Sequence, residues 1–153
     1  MSALELKVPP PLVLFVCGLL MWLPAYLLPS LGLELPGLLT LAVLLTLCGL
    51  GVASAGVLAF RQASTTINPT RPSATSSIVS TGVYRFTRNP MYLGMLLCLG
   101  GWALFLGNPL SLLGLPLFVA YLNRMQIGPE ERALDAKFGE PYAQYRARVR
   151  RWL

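Results

Sequence analysis

The sequence predicts an all-α integral membrane protein with about four transmembrane helices and a helical tail on one membrane face. Three observations carry that reading. Hydrophobic residues make up 55% of the 153 and charged residues only 12%, whereas a soluble domain usually carries about 25% charged residues. Apolar runs at about residues 12–28, 36–60, 90–106 and 110–124 hold a single charge, Arg124, at the last position of the fourth. All 12 lysines and arginines fall before the first run, between the second and third, or from residue 124 onward. The two turns on the opposite side hold none. With an even number of spans, this asymmetry places both termini and the 61–89 stretch in the cytoplasm.

The first run, residues 12–28, is just long enough to cross a hydrocarbon core of about 30 Å at about 1.5 Å per residue. Its flank pairs Glu5 with Lys7 and no small-residue cleavage site stands out after it, so it reads as a retained helix and not a leader. Pro24 is expected to kink it. A turn around Gly32 and Glu34 leads to the second run, where Pro36 suits a first helical turn. Gly49, Gly51 and Gly56 are expected to give that helix a small-residue face for close packing. Residues 61–89 are polar, hold four arginines and are broken by Asn68-Pro69 and Arg71-Pro72. A connection this long is often functional. The third run begins after Asn89-Pro90. Gly107-Asn108-Pro109 turns the chain tightly into the fourth run, making a helical hairpin. The tail, residues 125–153, is different in kind. Pro129-Glu130-Glu131 reads as the first turn of a helix, with carboxylates at the positive end of its macrodipole. Gly139 marks its end, and Pro141 starts another helix with Tyr142, Tyr145 and Val149 roughly on one face. The basic stretch Arg146–Trp152 suits the membrane interface. The whole, residues 1–153, is expected to form one domain.

Composition also excludes several chemistries. There is no histidine, hence no His-based triad, general base or metal site. Cys17, Cys48 and Cys98 each lie inside an apolar run with no metal-ligand or disulfide spacing, so no metal is expected. The apolar runs leave little soluble surface for a nucleic-acid patch.

What remains is a set of polar residues converging on the cytoplasmic face. In Gly82-Val83-Tyr84-Arg85-Phe86-Thr87-Arg88-Asn89-Pro90-Met91-Tyr92-Leu93-Gly94, Asn89 suits an N-cap and the tyrosines suit an interfacial belt. The same helix start presents free N–H groups to an anion, with Arg88 nearby. Glu130 and Glu131 fit a dipole-matched helix start equally well. A carboxylate there can also accept two hydrogen bonds from a ribose diol and favour a cation.

Together these pieces resemble the isoprenylcysteine carboxyl methyltransferases and their relatives, the phospholipid methyltransferases. The matching positions are Gly82, Tyr84, Arg88, Pro90, Tyr92 and Gly94, then Glu130 and Glu131, then Phe138, Gly139, Tyr142 and Tyr145. The resemblance covers about the last 75 residues. It implies S-adenosylmethionine as cofactor, bound without a Rossmann fingerprint, and a lipophilic or lipid acceptor met at the bilayer. By position it implies cofactor contacts at Ser76, Ser77, Ile78, Val79, Tyr84, Asn89, Pro90, Met91, Tyr92, Glu130 and Glu131, with Arg88 and Asn89 closest to the chemistry.

Two departures bear on substrate. Asn89 stands where relatives often have histidine, so it can bind but not act as a base near pH 7. Gln126 stands where the carboxyl methyltransferases carry a substrate-facing arginine, and Arg124 lies two residues earlier. Both are candidate acceptor contacts. A prenylated cysteine carboxylate, a phospholipid amine and another small lipophilic acceptor all stay open as acceptors. A non-enzymatic multi-pass protein is the rival reading. Against it, none of the spans carries an ionisable group at mid-membrane depth, as a transporter would.

Overall fold

The structure, a computed structural model, describes residues 5–63 and 77–153. Ser76, Asn68-Pro69 and Arg71-Pro72 lie outside the described residues. The described chain is helical throughout, with no strand. Three stretches are long and apolar enough to cross a membrane: Pro10–Leu27, Leu38–Gln62 and Pro109–Phe138. A shorter apolar helix, Pro90–Leu106, accompanies them.

Helix α1 (Pro10–Leu27) starts at a proline pair and buries a thin stripe, Pro10, Val13, Cys17 and Met21, at helical spacing. Phe15, Leu19, Trp22 and Tyr26 point outward, as lipid-facing residues do. Polar bonds fix it to the following hairpin. Trp102 Nε1 donates to the Gly18 carbonyl at 3.0 Å, Ser111 Oγ to Met21 at 2.6 Å and Asn108 Nδ2 to Leu28 at 3.1 Å. With no water in the bilayer core, each polar group there must find such a partner.

Helix α2 (Leu38–Gln62) begins two residues later than Pro36, because Gly37 takes a left-handed conformation (φ +87°) that ends the preceding turn. It packs along α3 (Pro90–Leu106) through small residues on both sides. Gly49 meets Gly94 and Cys98, Gly56 meets Pro90 and Met91, and Gly101 meets Ala42 and Thr46. Gly51 takes no part: it is exposed, with open space where a side chain would be. The helical period explains this, since residues 49 and 56 share a face and residue 51 lies nearly opposite.

The hairpin turn is as expected. Gly107 is left-handed and Asn108 caps the next turn, accepting from Leu110 N at 3.0 Å. Leu33 N donates to the Gly107 carbonyl at 2.7 Å, tying the two turns of that face together.

The last long stretch corrects the expected boundary between the fourth run and the tail. A 3-10 turn (Pro109–Leu113) leads into α4 (Gly114–Leu122), a π-helical turn (Asn123–Ile127) and α5 (Gly128–Phe138). Pro129 therefore sits within one continuing rod and does not start a separate helix. The wide π turn carries its own i to i+5 bond, Gly128 N to the Asn123 carbonyl. Gly139 (φ +57°) then reverses the chain into α6 (Glu140–Arg148), which buries Tyr142 and Tyr145. Val149 falls just beyond that helix.

One apolar cluster joins α1, α3 and the long rod through Val13, Cys17, Met21, Tyr92, Leu99, Ala103, Phe118, Leu122 and Ile127. Its upper edge, Tyr92 and Ile127, is the floor of the polar site.

Candidate active site

The site forms where four segments meet: a 3-10 turn at Gly82–Arg85, the start of α3, the π turn with the first turn of α5, and the segment after α6. Asn89 precedes Pro90, which is well suited to the first helical position. That start brings Arg88 beside Glu131 and Tyr92 beside Glu130.

The two adjacent carboxylates have different surroundings. Glu131 is nearly buried between two arginines. Arg88 Nη1 lies 3.1 Å from its Oε1, and Arg151 Nη2 lies 2.6 Å from its Oε2. Glu130 is held only by neutral donors, both on one oxygen: Tyr92 Oη at 2.6 Å and Gln126 Nε2 at 2.7 Å from Oε1. Among the described residues its Oε2 receives no hydrogen bond, and no cation is paired with it. Glu130 is thus a carboxyl group without a cationic partner among the described residues, at a partly exposed position. Arg88 adds the complementary feature: its Nε is buried with no acceptor among the described residues.

The structure places the other expected residues as follows. Tyr84 is buried, edge-on to Phe60, and its carbonyl accepts from Tyr145 Oη at 2.8 Å. Val79 packs with Ala59 and Tyr84, while Ser77 and Ile78 are half-buried beside it. Pro90 is buried and Met91 half-buried, both against Gly56. Asn89 Nδ2 is engaged, donating to the Arg151 carbonyl at 2.9 Å. Gln126 is buried in the site through Glu130. Arg124 is exposed on the π turn and makes no bond to this cluster.

Residues missed by sequence reasoning are Arg151, Asn123, Thr87 and Trp152. Arg151 Nη1 and Trp152 Nε1 both donate to Asn123 Oδ1, at 3.3 and 3.1 Å. Thr87 Oγ1 donates to the Arg151 carbonyl at 3.3 Å. A basic run ending in tryptophan reads as headgroup-facing, and nothing in its composition marks Arg151 as turned inward.

The phenols nearby are strongly neutral. Burial, then the charge of Glu131, pushes Tyr142 up to about 12 against the partial offset of Arg88. Burial raises Tyr84 and Tyr145 in the same direction. A phenol raised above its ordinary value of about 10 holds its proton more tightly folded than unfolded. Its contribution to stability is complete below pH 10 and is lost as the pH climbs through about 12. Thermal stability is therefore expected to fall from about pH 10 upward, and a phenolate absorbance titration of Tyr142→Phe should lose one late-titrating group. Loss instead of a group that titrates near the ordinary value of about 10 would show Tyr142 to be an ordinary surface phenol.

Comparison with known proteins adds to this geometry. Residues 38–141 match the family described as phospholipid methyltransferase. A 63-residue segment is 49% identical to an uncharacterized protein of Haemophilus influenzae, covering 41% of this chain and all of that protein. A 72-residue segment is 35% identical to the protein-S-isoprenylcysteine O-methyltransferase of Schizosaccharomyces pombe, covering 47% of this chain. That match spans only 30% of the yeast enzyme's length. No solved structure matches the chain.

Proposed function

The chain belongs to the phospholipid methyltransferase family, and from that premise we propose that it is an S-adenosylmethionine-dependent methyltransferase acting on a membrane lipid from the cytoplasmic face. The carrying observation is Glu130, a carboxylate held by neutral donors with one oxygen left open, next to a Glu131 already neutralised by two arginines.

The donor set fits the cofactor. The open Glu130 oxygen suits a ribose diol, and its charge favours a cationic sulfonium over a neutral thioether. The buried Arg88 Nε suits the cofactor's carboxylate. Tyr84, Tyr92, Pro90 and Met91, with Ser77, Ile78 and Val79, would supply the walls. When bound, S-adenosylmethionine supplies an electrophilic methyl group. This chain's task is then to hold donor and acceptor in line and exclude water from between them. Tyr92 and Gln126 fix the Glu130 side chain, so its charge needs no reorganisation on binding.

The same charge bears on the acceptor. An unpaired carboxylate repels a carboxylate substrate and attracts an amine. Gln126 carries no charge, and Arg124 is exposed away from the cluster. An amine-bearing phospholipid is therefore the favoured acceptor over a prenylcysteine carboxylate. Its ammonium proton must leave before the nitrogen lone pair can react, and water at the polar face takes it.

Calorimetry of the detergent-purified protein with S-adenosylmethionine tests the first half of this reading, and saturable one-to-one binding is expected. Labelled methyl transfer into extracted lipid tests the second. Base-stable label indicates an N-methyl product, whereas base-labile methyl ester would replace the amine with a carboxylate. A folded protein that binds no cofactor in detergent or lipid would return the chain to the non-enzymatic reading.

A further inference from the structure

We propose that Arg151 is a positioning residue of this site, setting cofactor affinity through Glu131 and the π turn without touching the cofactor. The proposal rests on the methyltransferase reading above and extends it to a segment outside the family match, which ends at residue 141.

The segment after α6 is fastened by its backbone to the start of α3. Arg88 N donates to the Arg150 carbonyl at 3.0 Å. The Arg151 carbonyl accepts from both Thr87 Oγ1 and Asn89 Nδ2. Thr87 Oγ1 and Asn89 Nδ2 are therefore committed to the chain itself, and Asn89 acts here as a clip.

So fastened, the Arg151 side chain bridges two further elements. Its Nε and Nη2 grip the Glu131 carboxylate as a two-pronged fork, at 3.1 and 2.6 Å. Its Nη1 reaches Asn123, the first residue of the π turn. A planar guanidinium is the group able to hold a carboxylate and an amide in one fixed geometry, which lysine cannot do.

Two consequences follow for binding. Glu131 is fully neutralised, leaving Glu130 as the uncompensated carboxylate of the pair. The π turn is also held at its start, which fixes the phase at which Gln126 and Glu130 face Tyr92. Without Arg151, Glu131 would add a second partly compensated charge beside Glu130, and the turn would be free to shift.

The test is calorimetric titration of S-adenosylmethionine into wild type, Arg151→Ala and Arg151→Lys, with thermal unfolding of each. Arg151→Ala is expected to raise Kd about tenfold with the binding stoichiometry unchanged. The figure is modest because the Arg151 side chain is 35% exposed and its pairing partly screened. Arg151→Lys, which keeps the charge and loses the fork, is expected to fall between the two and guards against a variant that fails to fold. A loss of stoichiometry or of Tm with Kd unchanged in the folded fraction would make Arg151 a staple of the fold alone and overturn the proposal. Wild-type protein that binds no cofactor would overturn the methyltransferase reading itself, and this inference with it.

Discussion

Glu130→Gln is expected to lower methyl transfer by about 10²-fold or more, with no loss of thermal stability. The substitution is close to isosteric. Both existing bonds, from Tyr92 and Gln126, fall on Oε1, and an amide oxygen in the same place can still accept both. What is removed is the charge and the open acceptor at Oε2, the two properties assigned to the cofactor. Glu131→Gln is the contrasting variant. It takes the shared partner from Arg88 and Arg151 and leaves a nearly buried guanidinium unpaired, so its signature is a lowered Tm. Kinetics and thermal unfolding of the two variants together separate the roles. Glu130→Gln with unchanged turnover and unchanged cofactor Kd would remove Glu130 from the site.

Gly94→Ala is expected to destabilise the folded protein by about 2 kcal/mol, and Gly94→Leu to prevent α2 and α3 from seating at all. A Cβ at residue 94 would lie 2.7 Å from Ala53 Cβ and 2.8 Å from Ala53 N, and against the Gly49 carbonyl. Two of those three obstacles are backbone, so no rotamer change relieves the clash. Gly51→Ala supplies a matched control on the neighbouring helix. It meets open space, and alanine is the better helix former, so its Tm should stay level or rise. The two glycines differ in nothing a composition would register. Equal Tm values for the two variants would mean that the α2–α3 seam is looser than drawn.

The membrane architecture was legible because its cause is written plainly in the chain. Uncharged runs, Gly-Asn-Pro at the hairpin and glycine before Pro141 each have one inexpensive conformation. Helical period separates Gly51 from Gly49 and Gly56, but the expectation rested on counting small residues and put all three on one face. The site was legible as a set of residue types, and less so as a set of partnerships. Neighbouring carboxylates on a helix point about 100° apart, and nothing local says which one will meet the arginines. The π turn was hidden because Asn123–Ile127 contains no residue that requires it. Pro129 after Gly128 looks like a fresh helix start in any sequence. Arg151 was hidden for a different reason: its role depends on partners more than sixty residues earlier, at Thr87 and Asn89, a separation that carries no local pattern.

The π turn also governs what kinds of genetic change this protein tolerates. A substitution within 123–127 alters one side chain, but a one-codon deletion there would turn the wide loop into ordinary α-helix and leave the rod otherwise intact. Every residue beyond it would then swing by about 100° about the rod axis. Glu130 would leave Tyr92, and Glu131 would leave Arg88, while the apolar half of the molecule below residue 122 kept its packing. The extra residue of the π turn is in this sense a phase key: outside Asn123 and Gln126 its letters can change, but its length cannot, without disconnecting the polar head from the membrane body.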